Sequence, residues 1–339
     1  MKISICIPTY NRAIHLKNCL QTIILNKSRS NIDFQVCVSD NCSTDETEEV
    51  VHHAQASIAI KYQKNSRNLG IPQNFLNVVE MAEGEFVWLI GDDDLLLPFA
   101  IEELHGIISK NPNVDFFYIN SFHLTTQYVF SFPQPFDTAN LPKDMTPFSP
   151  WPDSGEMWFL DLVNPKISFD FLGGMFLSVF RRRNWSQNVS VLDEAAVSDL
   201  RTFSHFDNTF PHVKIFSKAF ANSKAYFYAR SLSVCLTGAR EWAPMYPFVR
   251  SVRLVEALEE YKKNGLSYIK HFKCKNYALR TFLSDFAYMV INKESSGIIY
   301  INPLKLILSN CFYPNFYLSI IYYFVRKLKL FLSIPKTVI

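Results

Sequence analysis

The sequence predicts an α/β protein: a mostly parallel sheet with helices on both faces, followed by a mainly helical C-terminal region. Three observations lead there. Short apolar stretches alternate with segments of helical period over the first 120 residues, the pattern of a parallel sheet with crossover helices. Residues 86–90, Phe-Val-Trp-Leu-Ile, form a continuous apolar run, as expected of a strand buried on both faces. Polar residues gather directly after the apolar runs, at what becomes one sheet edge, and open α/β sheets bind ligands at that edge.

The first strand spans 3–7 and ends in Pro8-Thr9-Tyr10-Asn11-Arg12. Asn11 is placed to cap a helix whose apolar residues Ala13, Leu16, Leu20 and Ile23 recur at helical spacing. A second strand, 34–38, runs into Ser39-Asp40-Asn41, and Ser43 with Glu46 forms a capping box that opens a helix to about 55. A third strand at 58–62 leads through Asn65-Ser66-Arg67-Asn68-Leu69-Gly70 to a helix over 72–82. The central strand, 86–90, stops at Gly91 and delivers Asp92, Asp93 and Asp94 where the sheet ends. Three adjacent carboxylates repel one another. A divalent cation, Mg²⁺ or Mn²⁺, is the compensation their oxygen chemistry invites; the plain alternative is a solvated turn in which Asp93 or Asp94 caps the next helix. Pro98 suits the first turn of a helix over 98–109, and 114–119 is the next strand.

Beyond 121 the pattern loosens. Prolines at 133, 135, 142, 147, 150 and 152 mark a long loop of the kind that serves as a lid. A helix is expected over 154–163 and a strand over 171–180 carrying Gly173-Gly174, where a ligand or backbone approaches closely. Arg181-Arg182-Arg183 is either a solvated turn or a diphosphate contact. A helix follows over 211–220 and a strand over 225–229. The stretch from Arg230 to Arg240 is either a loop reaching over donor phosphates or an ordinary surface loop. Val252, Val255, Leu258 and Tyr261 share one face of an amphipathic helix over 248–261.

Composition narrows the function. The chain has 339 residues, 48% of them hydrophobic and 19% charged, with a net charge of +3. That charge is too small to argue for a nucleic-acid partner. Seven scattered cysteines form no Cys-x-x-Cys pair, which fits a reducing cytoplasm and excludes a disulfide framework or zinc knuckle. The N-terminal apolar stretch is too short for a signal peptide and runs into proline. The first strand is followed by neither Gly-x-Gly-x-x-Gly nor a Walker A loop, so the edge offers a nucleotide site with a metal and no glycine-rich phosphate cradle.

Four stretches together resemble the successive signatures of family 2 glycosyltransferases: Ile-Cys-Ile-Pro-Thr-Tyr-Asn-Arg, Val-Ser-Asp-Asn-Cys-Ser-Thr-Asp-Glu-Thr, Asn-Ser-Arg-Asn-Leu-Gly and Trp-Leu-Ile-Gly-Asp-Asp-Asp. They stand in the family's order and spacing. Within the family the chain is most similar to O-antigen sugar transferases of the abequosyltransferase kind, on the Ser-Asp-Asn strand end, Asn-Leu-Gly-Ile-Pro-Gln-Asn-Phe, Gly173-Gly174 and Phe210-Pro211-His212. The resemblance implies a GT-A fold over 1–240, with a nucleotide-sugar half (1–120) and an acceptor half (121–240), and a helical region over 241–339. It implies inverting transfer of a sugar from a nucleoside diphosphate donor to a saccharide acceptor, expected to be lipid-linked.

By position, Pro8, Thr9, Tyr10 and Arg12 should border the nucleotide, Asp40 beside Asn41 should meet the base, and Arg67 should lie near base or phosphates. The family's strand-end pattern is Asp-x-Asp-Asp; here Gly91 takes the first place, Asp92 the variable one and Asp93 the metal-holding one, with Asp94 beside it. Asp92 is left to supply the ribose contact. Asp207 is the expected general base, with His212 and Asp199 as alternatives. A non-catalytic carbohydrate- or nucleotide-sugar-binding subunit is the competing reading, and Gly91 favours it. A nucleotidyltransferase would want a glycine-rich basic loop after the first strand, and a glycoside hydrolase two facing carboxylates without a nucleotide site.

The last stretch points to a membrane surface. After Glu294 there is no acidic residue, whereas Lys305, Arg326, Lys327, Lys329 and Lys336 are basic, and 316–325 is aromatic and aliphatic. This run is too short to span a bilayer and suits an interfacial helix on anionic lipid. The expected location is cytoplasmic, peripheral on the inner face of the cell membrane. A terminal helix docked on the core is the alternative.

Overall fold

A computed structural model describes residues 3–238 and 242–333, with side chains described to 325. The first half follows its apolar runs. Strands β1 (Ile3–Thr9), β2 (Phe34–Asp40), β3 (Ile60–Lys64) and β4 (Phe86–Leu89) alternate with helices α1 (Ala13–Arg29), α2 (Thr47–Gln55) and α3 (Ile71–Glu80). β1 pairs in parallel with β2 (Cys6 opposite Cys37) and with β4 (Cys6 opposite Leu89), and β2 pairs in parallel with β3. Every residue of β1 and of β4 is buried, as strands covered on both faces must be.

Two local starts differ from expectation. Asn11 lies in the left-handed region (φ 52°) and does not cap α1. Asp45 does so from the next loop: its Oδ2 accepts from the Ala13 N–H at 2.9 Å, while its Oδ1 accepts from the Thr47 N–H at 3.2 Å and the Thr47 hydroxyl at 2.5 Å. One carboxylate thus starts both helices. Ser43 is used otherwise, its hydroxyl accepting from the Asn11 N–H at 2.8 Å.

In the second half the sheet becomes mixed. After β5 (Leu95–Leu96) and α4 (Ala100–Lys110) come β6 (Phe116–Thr125), β7 (Gly155–Trp158), β8 (Ser178–Arg181) and β9 (Lys224–Thr237). The sheet order is β3-β2-β1-β4-β8-β6-β9-β5, with β7 also on β9. β8 runs antiparallel between β4 and β6; β6 and β9 are parallel; β5 and β7 are antiparallel to β9.

The helix expected at 154–163 is instead β7 and a short turn, because Gly155 to Trp158 find partners in Phe227 to Lys224 of β9. The strand expected at 171–180 shrinks to β8. Phe171 and Leu172 sit at φ 50° and 69°, outside the extended region. Arg181 is neither a solvated turn nor a phosphate contact: it pairs with Glu85 and Asp115 and lies 4.5 Å over the Phe86 ring. Arg230 belongs to β9 and pairs with Glu103 at 2.7 Å, so the stretch to Thr237 is strand; Ala239 and Arg240 lie outside the described residues.

The proline-rich loop is tied down. Asn18 of α1 donates to Gln134 at 2.6 Å and accepts from the Phe136 N–H at 2.9 Å, and Asn120 bonds the Ser149 backbone in both directions at 3.0 Å. After β9 the regular elements among the described residues are helices, and Val252, Val255, Leu258 and Tyr261 are buried as their spacing predicts. A π-helical turn, Val249–Arg253, precedes the helix Leu254–Lys263. Among the described residues no helix is long and apolar enough to cross a membrane.

Candidate active site

β1 and β4 end side by side, and their polar residues meet there. The Thr9 hydroxyl donates to Asp92 Oδ2 at 2.8 Å. The Arg12 guanidinium bridges the carboxylates, Nε 3.2 Å from Asp92 Oδ1 and Nη2 2.9 Å from Asp93 Oδ2. Burial disfavours the charge on Arg12, but Asp92 and Asp93 outweigh it and raise its pKa. Burial lifts Asp92 to about 7 even though Arg12 opposes the rise. The site therefore holds a carboxyl group that titrates near neutrality beside a fixed cation.

The remaining aspartate of the turn points elsewhere. Asp94 Oδ2 accepts from the Gly91 N–H at 2.7 Å, and the Asp94 N–H donates to the Gly91 carbonyl at 3.2 Å. Asp94, expected as a metal ligand beside Asp93, uses this oxygen to close the turn. A Cβ at Gly91 would lie 2.7 Å from Asp93 Oδ1 and 3.2 Å from Asp94 Oδ2, so those carboxylates would have to shift to admit one. A side chain at the family's first acidic position would push into the two aspartates that follow.

No group of three metal-ligating side chains exists among the described residues. The donor set fits a divalent cation in the other way such ions bind, through one carboxylate plus waters and substrate phosphates. Asp93 is the residue that fits, because its Oδ1 makes no hydrogen bond among the described residues while Oδ2 is held by Arg12.

The second strand end is built inward. Asp40 is fully buried; its Oδ2 accepts from the Tyr62 hydroxyl at 2.8 Å and its Oδ1 from the Ser43 N–H at 2.8 Å. Asn41 is equally occupied, donating to Asn68 at 2.8 Å and accepting from the Leu69 N–H at 2.9 Å. Both were expected to border the nucleotide, and both are buried with hydrogen bonds within the strand-end loops. Asn74 completes this net: its amide donates to Ser39 O at 3.0 Å and Thr9 O at 3.3 Å, and its Oδ1 accepts from the Ser39 hydroxyl and Asn65. Pro8 is buried within β1. Tyr10 and Arg67 are exposed at the edge, and Arg67 has no ion-pair or hydrogen-bond partner among the described residues.

In the second half, Asp207 Oδ2 accepts from Lys214 at 2.6 Å and from the Asp193 N–H at 2.7 Å. It lies in the short helix Phe206–Thr209, which packs beside α3. His212, the alternative base, faces inward: Nε2 lies 3.0 Å from Gly173 O, a contact in which the ring donates to the carbonyl, and burial lowers its pKa to about 4. Asp199 is taken by Arg201, Ser204 and His205.

Sequence reasoning missed Asp170. Its carboxylate accepts from the Ser168 hydroxyl and, at 2.8 Å, from the Gly174 N–H, while burial raises its pKa. The Phe176 carbonyl just beyond accepts from Trp88 Nε1 at 2.9 Å, tying this loop to β4. The signal available was an aspartate four residues before Gly174, itself a position with no room for a Cβ.

Residues 4–148 match the profile of Glycosyl transferase family 2. Abequosyltransferase RfbV of Salmonella typhimurium is 45% identical over 116 residues, 34% of this chain and 34% of that protein. A GalNAc(5)-diNAcBac-PP-undecaprenol beta-1,3-glucosyltransferase of Campylobacter jejuni is 35% identical over 105 residues, 30% of this chain and 33% of that protein. The chain thus spans about a third of the length of these curated relatives. Among solved structures, S. aureus TarS 1-349 in complex with UDP-GlcNAc superposes with a TM-score of 0.54 at 16% identity, covering 84% of this chain and 73% of that one. A mannosyltransferase from Pyrobaculum calidifontis in complex with GDP-Man and Mn²⁺ gives 0.50 at 13% identity, covering 94% and 86%. At these identities the likeness is one of fold.

Proposed function

We propose that this chain, which carries a family 2 glycosyltransferase domain over residues 4–148, moves a sugar from a nucleoside diphosphate donor to a saccharide acceptor with inversion at the anomeric carbon. The observation that carries the reading is the cluster of Thr9, Arg12, Asp92 and Asp93 at the joined ends of β1 and β4. Arg12 and the exposed Arg67 supply fixed positive charge for a diphosphate. Asp93 presents the oxygen that would hold Mg²⁺ or Mn²⁺ against that diphosphate. Such an ion supplies Lewis-acid stabilisation of the leaving group. Asp92, kept near neutrality by burial, suits a hydroxyl partner such as ribose, because it both donates and accepts when protonated.

The acceptor hydroxyl needs a base on the opposite side of the anomeric carbon. Asp207 serves, since Lys214 and the Asp193 N–H hold one oxygen and leave Oδ1 without a hydrogen bond among the described residues. Its proton gain accompanies formation of the new glycosidic bond and departure of the diphosphate. The acceptor is lipid-linked and belongs to cell-surface polysaccharide or O-antigen assembly. This reading draws on the two relatives, whose names are those of an abequosyltransferase and of a glucosyltransferase for an undecaprenyl-linked saccharide. The place of work is the cytoplasmic face of the cell membrane, with the protein peripheral to it.

A thermal-shift panel of nucleoside diphosphate sugars with and without Mn²⁺ tests the reading, because a ligand that binds the folded state raises the melting point. A metal-dependent rise with one donor is expected. No rise with any donor overturns it. A rise without turnover on any saccharide acceptor would instead establish the binding-subunit reading, which the glycine at position 91 favours.

A further inference from the structure

The C-terminal helix, Pro314–Ser333, is docked at its start and exposed from Ile320 to Val325. Phe316 is buried against Phe282, with ring centroids 4.9 Å apart. Asn315 bonds Asn276 through its N–H at 2.8 Å and its side-chain amide at 2.9 Å, and Ser319 accepts from the Leu283 N–H at 3.1 Å. From Ile320 to Val325 every side chain is exposed, and every one is aliphatic or aromatic: Ile320, Ile321, Tyr322, Tyr323, Phe324 and Val325. Six consecutive residues cover the whole circumference of a helix, so this segment is apolar all round and in contact with water all round. A helix of that kind is stable only inside an apolar medium. More apolar surface accompanies it. Leu304 and Leu308, four apart on one helix face, are 65% and 58% exposed, and Phe312 is 83% exposed.

Three observations select the medium. A single partner helix covers one side, so a second copy of the chain would leave the opposite side of 320–325 in water. The charge is one-sided: residues 295–339 contain no aspartate or glutamate but five lysines and arginines, three of them at 326, 327 and 329 directly after the apolar run. Two such tails repel each other and are both attracted to anionic lipid. The apolar run from Phe316 to Val325 is also only about 15 Å long at 1.5 Å per residue, half of a hydrocarbon core of about 30 Å.

We propose that residues 317–325, together with Leu304, Leu308 and Phe312, form a membrane-docking surface that inserts into one leaflet of an anionic bilayer without crossing it. The proposal deepens the reading of a lipid-linked acceptor by naming the surface that brings the enzyme to it. It rests on the helical region alone and is testable without donor, metal or turnover, so its failure and failure of the transfer reading are separate results.

The experiment is flotation of the full chain with vesicles of phosphatidylcholine and of a phosphatidylcholine–phosphatidylglycerol mixture, at low and high salt. The wild type is expected to float with the mixed vesicles and to detach as salt rises. The double variant Ile321→Glu/Phe324→Glu should bind at least about tenfold more weakly with an unchanged melting point, since both side chains are exposed. Tyr268→Glu, on a separate exposed helix position, should bind as the wild type does. Equal flotation of wild type and double variant, or no binding of the wild type to either vesicle, overturns the proposal. So does a concentration-dependent dimer that the double variant abolishes while vesicle binding is absent, which would assign the surface to a second copy. Equal binding to both lipids at all salt concentrations overturns the requirement for anionic lipid.

Discussion

Replacing Asp92 by Asn is expected to stabilise the protein at alkaline pH and to do little at acid pH. Asp92 is 5% exposed, and burial raises its pKa from 3.8 to about 7 against the pull of Arg12. The folded state therefore holds this proton more tightly than the unfolded chain does. The stability gained from the retained proton is complete below about pH 4 and is lost as pH rises through 7. The difference between 3.8 and about 7, at about 1.4 kcal/mol per pH unit, gives an upper bound of about 4 kcal/mol. Asn keeps an oxygen for the Thr9 hydroxyl, and the pull of Arg12 on the ionised form is already contained in the value of about 7. A gain of up to about 4 kcal/mol should therefore appear above pH 8, or several degrees in melting point. At pH 5 the folded carboxyl is still protonated but the unfolded one is already ionised, so about a third of the gap has opened and the melting-point difference should be correspondingly smaller than at pH 8.5. Thermal melts of both in EDTA-containing buffer, at pH 5 and pH 8.5, measure this directly. A melting-point difference that is the same at both pH values would refute the argument, because an effect of packing alone has no pH dependence.

Other expectations follow from the same geometry. Asp93→Asn should abolish metal-dependent transfer with the fold intact, and near-normal turnover together with near-normal Mn²⁺ affinity by calorimetry would remove Asp93 from the metal site. Gly91→Ala sets a methyl 2.7 Å from Asp93 Oδ1, so Mn²⁺ affinity should fall and stability drop by about 1–3 kcal/mol; unchanged metal binding would show that Asp93 moves aside freely. Asn74→Ala removes the acceptor of the Ser39 hydroxyl and one of the two acceptors of the Asn65 amide and should cost about 2–6 kcal/mol in denaturant unfolding, from two lost partners at about 1–3 kcal/mol each; a cost below about 1 kcal/mol would mean that water replaces the amide. Asp207→Asn should lower turnover by about 10²–10⁴ with donor binding unchanged. If Asp170→Asn does this and Asp207→Asn does not, the base is Asp170.

The first half was legible because each of its signals is local. A strand buried on both faces reads as an unbroken apolar run, and residues 3–7 and 86–90 lie at β1 and β4 almost as drawn. The second half depends on partners distant in sequence. Gly155 to Trp158 carry no strand signal of their own and become β7 only because β9 lies beside them. The same limit explains the caps: Ser43 and Glu46 have a capping-box spacing, yet Asp45 reaches back to α1, and no window around either helix contains that contact.

The site shows a subtler form of this limit. A polar residue at a strand end has two uses, to meet a ligand or to satisfy the backbone of the loop that follows, and the residue type is the same for both. Asp40, Asn41 and Asn74 make the second use: their oxygens and amides bond Tyr62, Ser43, Leu69, Thr9 and Ser39. Arg12, Asp92 and Asp93 have met one another, and only Asp93 keeps an oxygen without a bond among the described residues. His212 extends the argument to the acceptor half. Its Nε2 bonds Gly173 O at 3.0 Å, and the Tyr261 hydroxyl donates to Phe171 O at 3.0 Å, so two buried side chains clamp a loop in which Phe171 and Leu172 are both left-handed. Non-glycine residues held in that region cost about 1–3 kcal/mol each, and a fold keeps such a pair only where surrounding contacts over-determine it. His212 thus forms part of the clamp that holds Asp170 and the two glycines beside the end of β4.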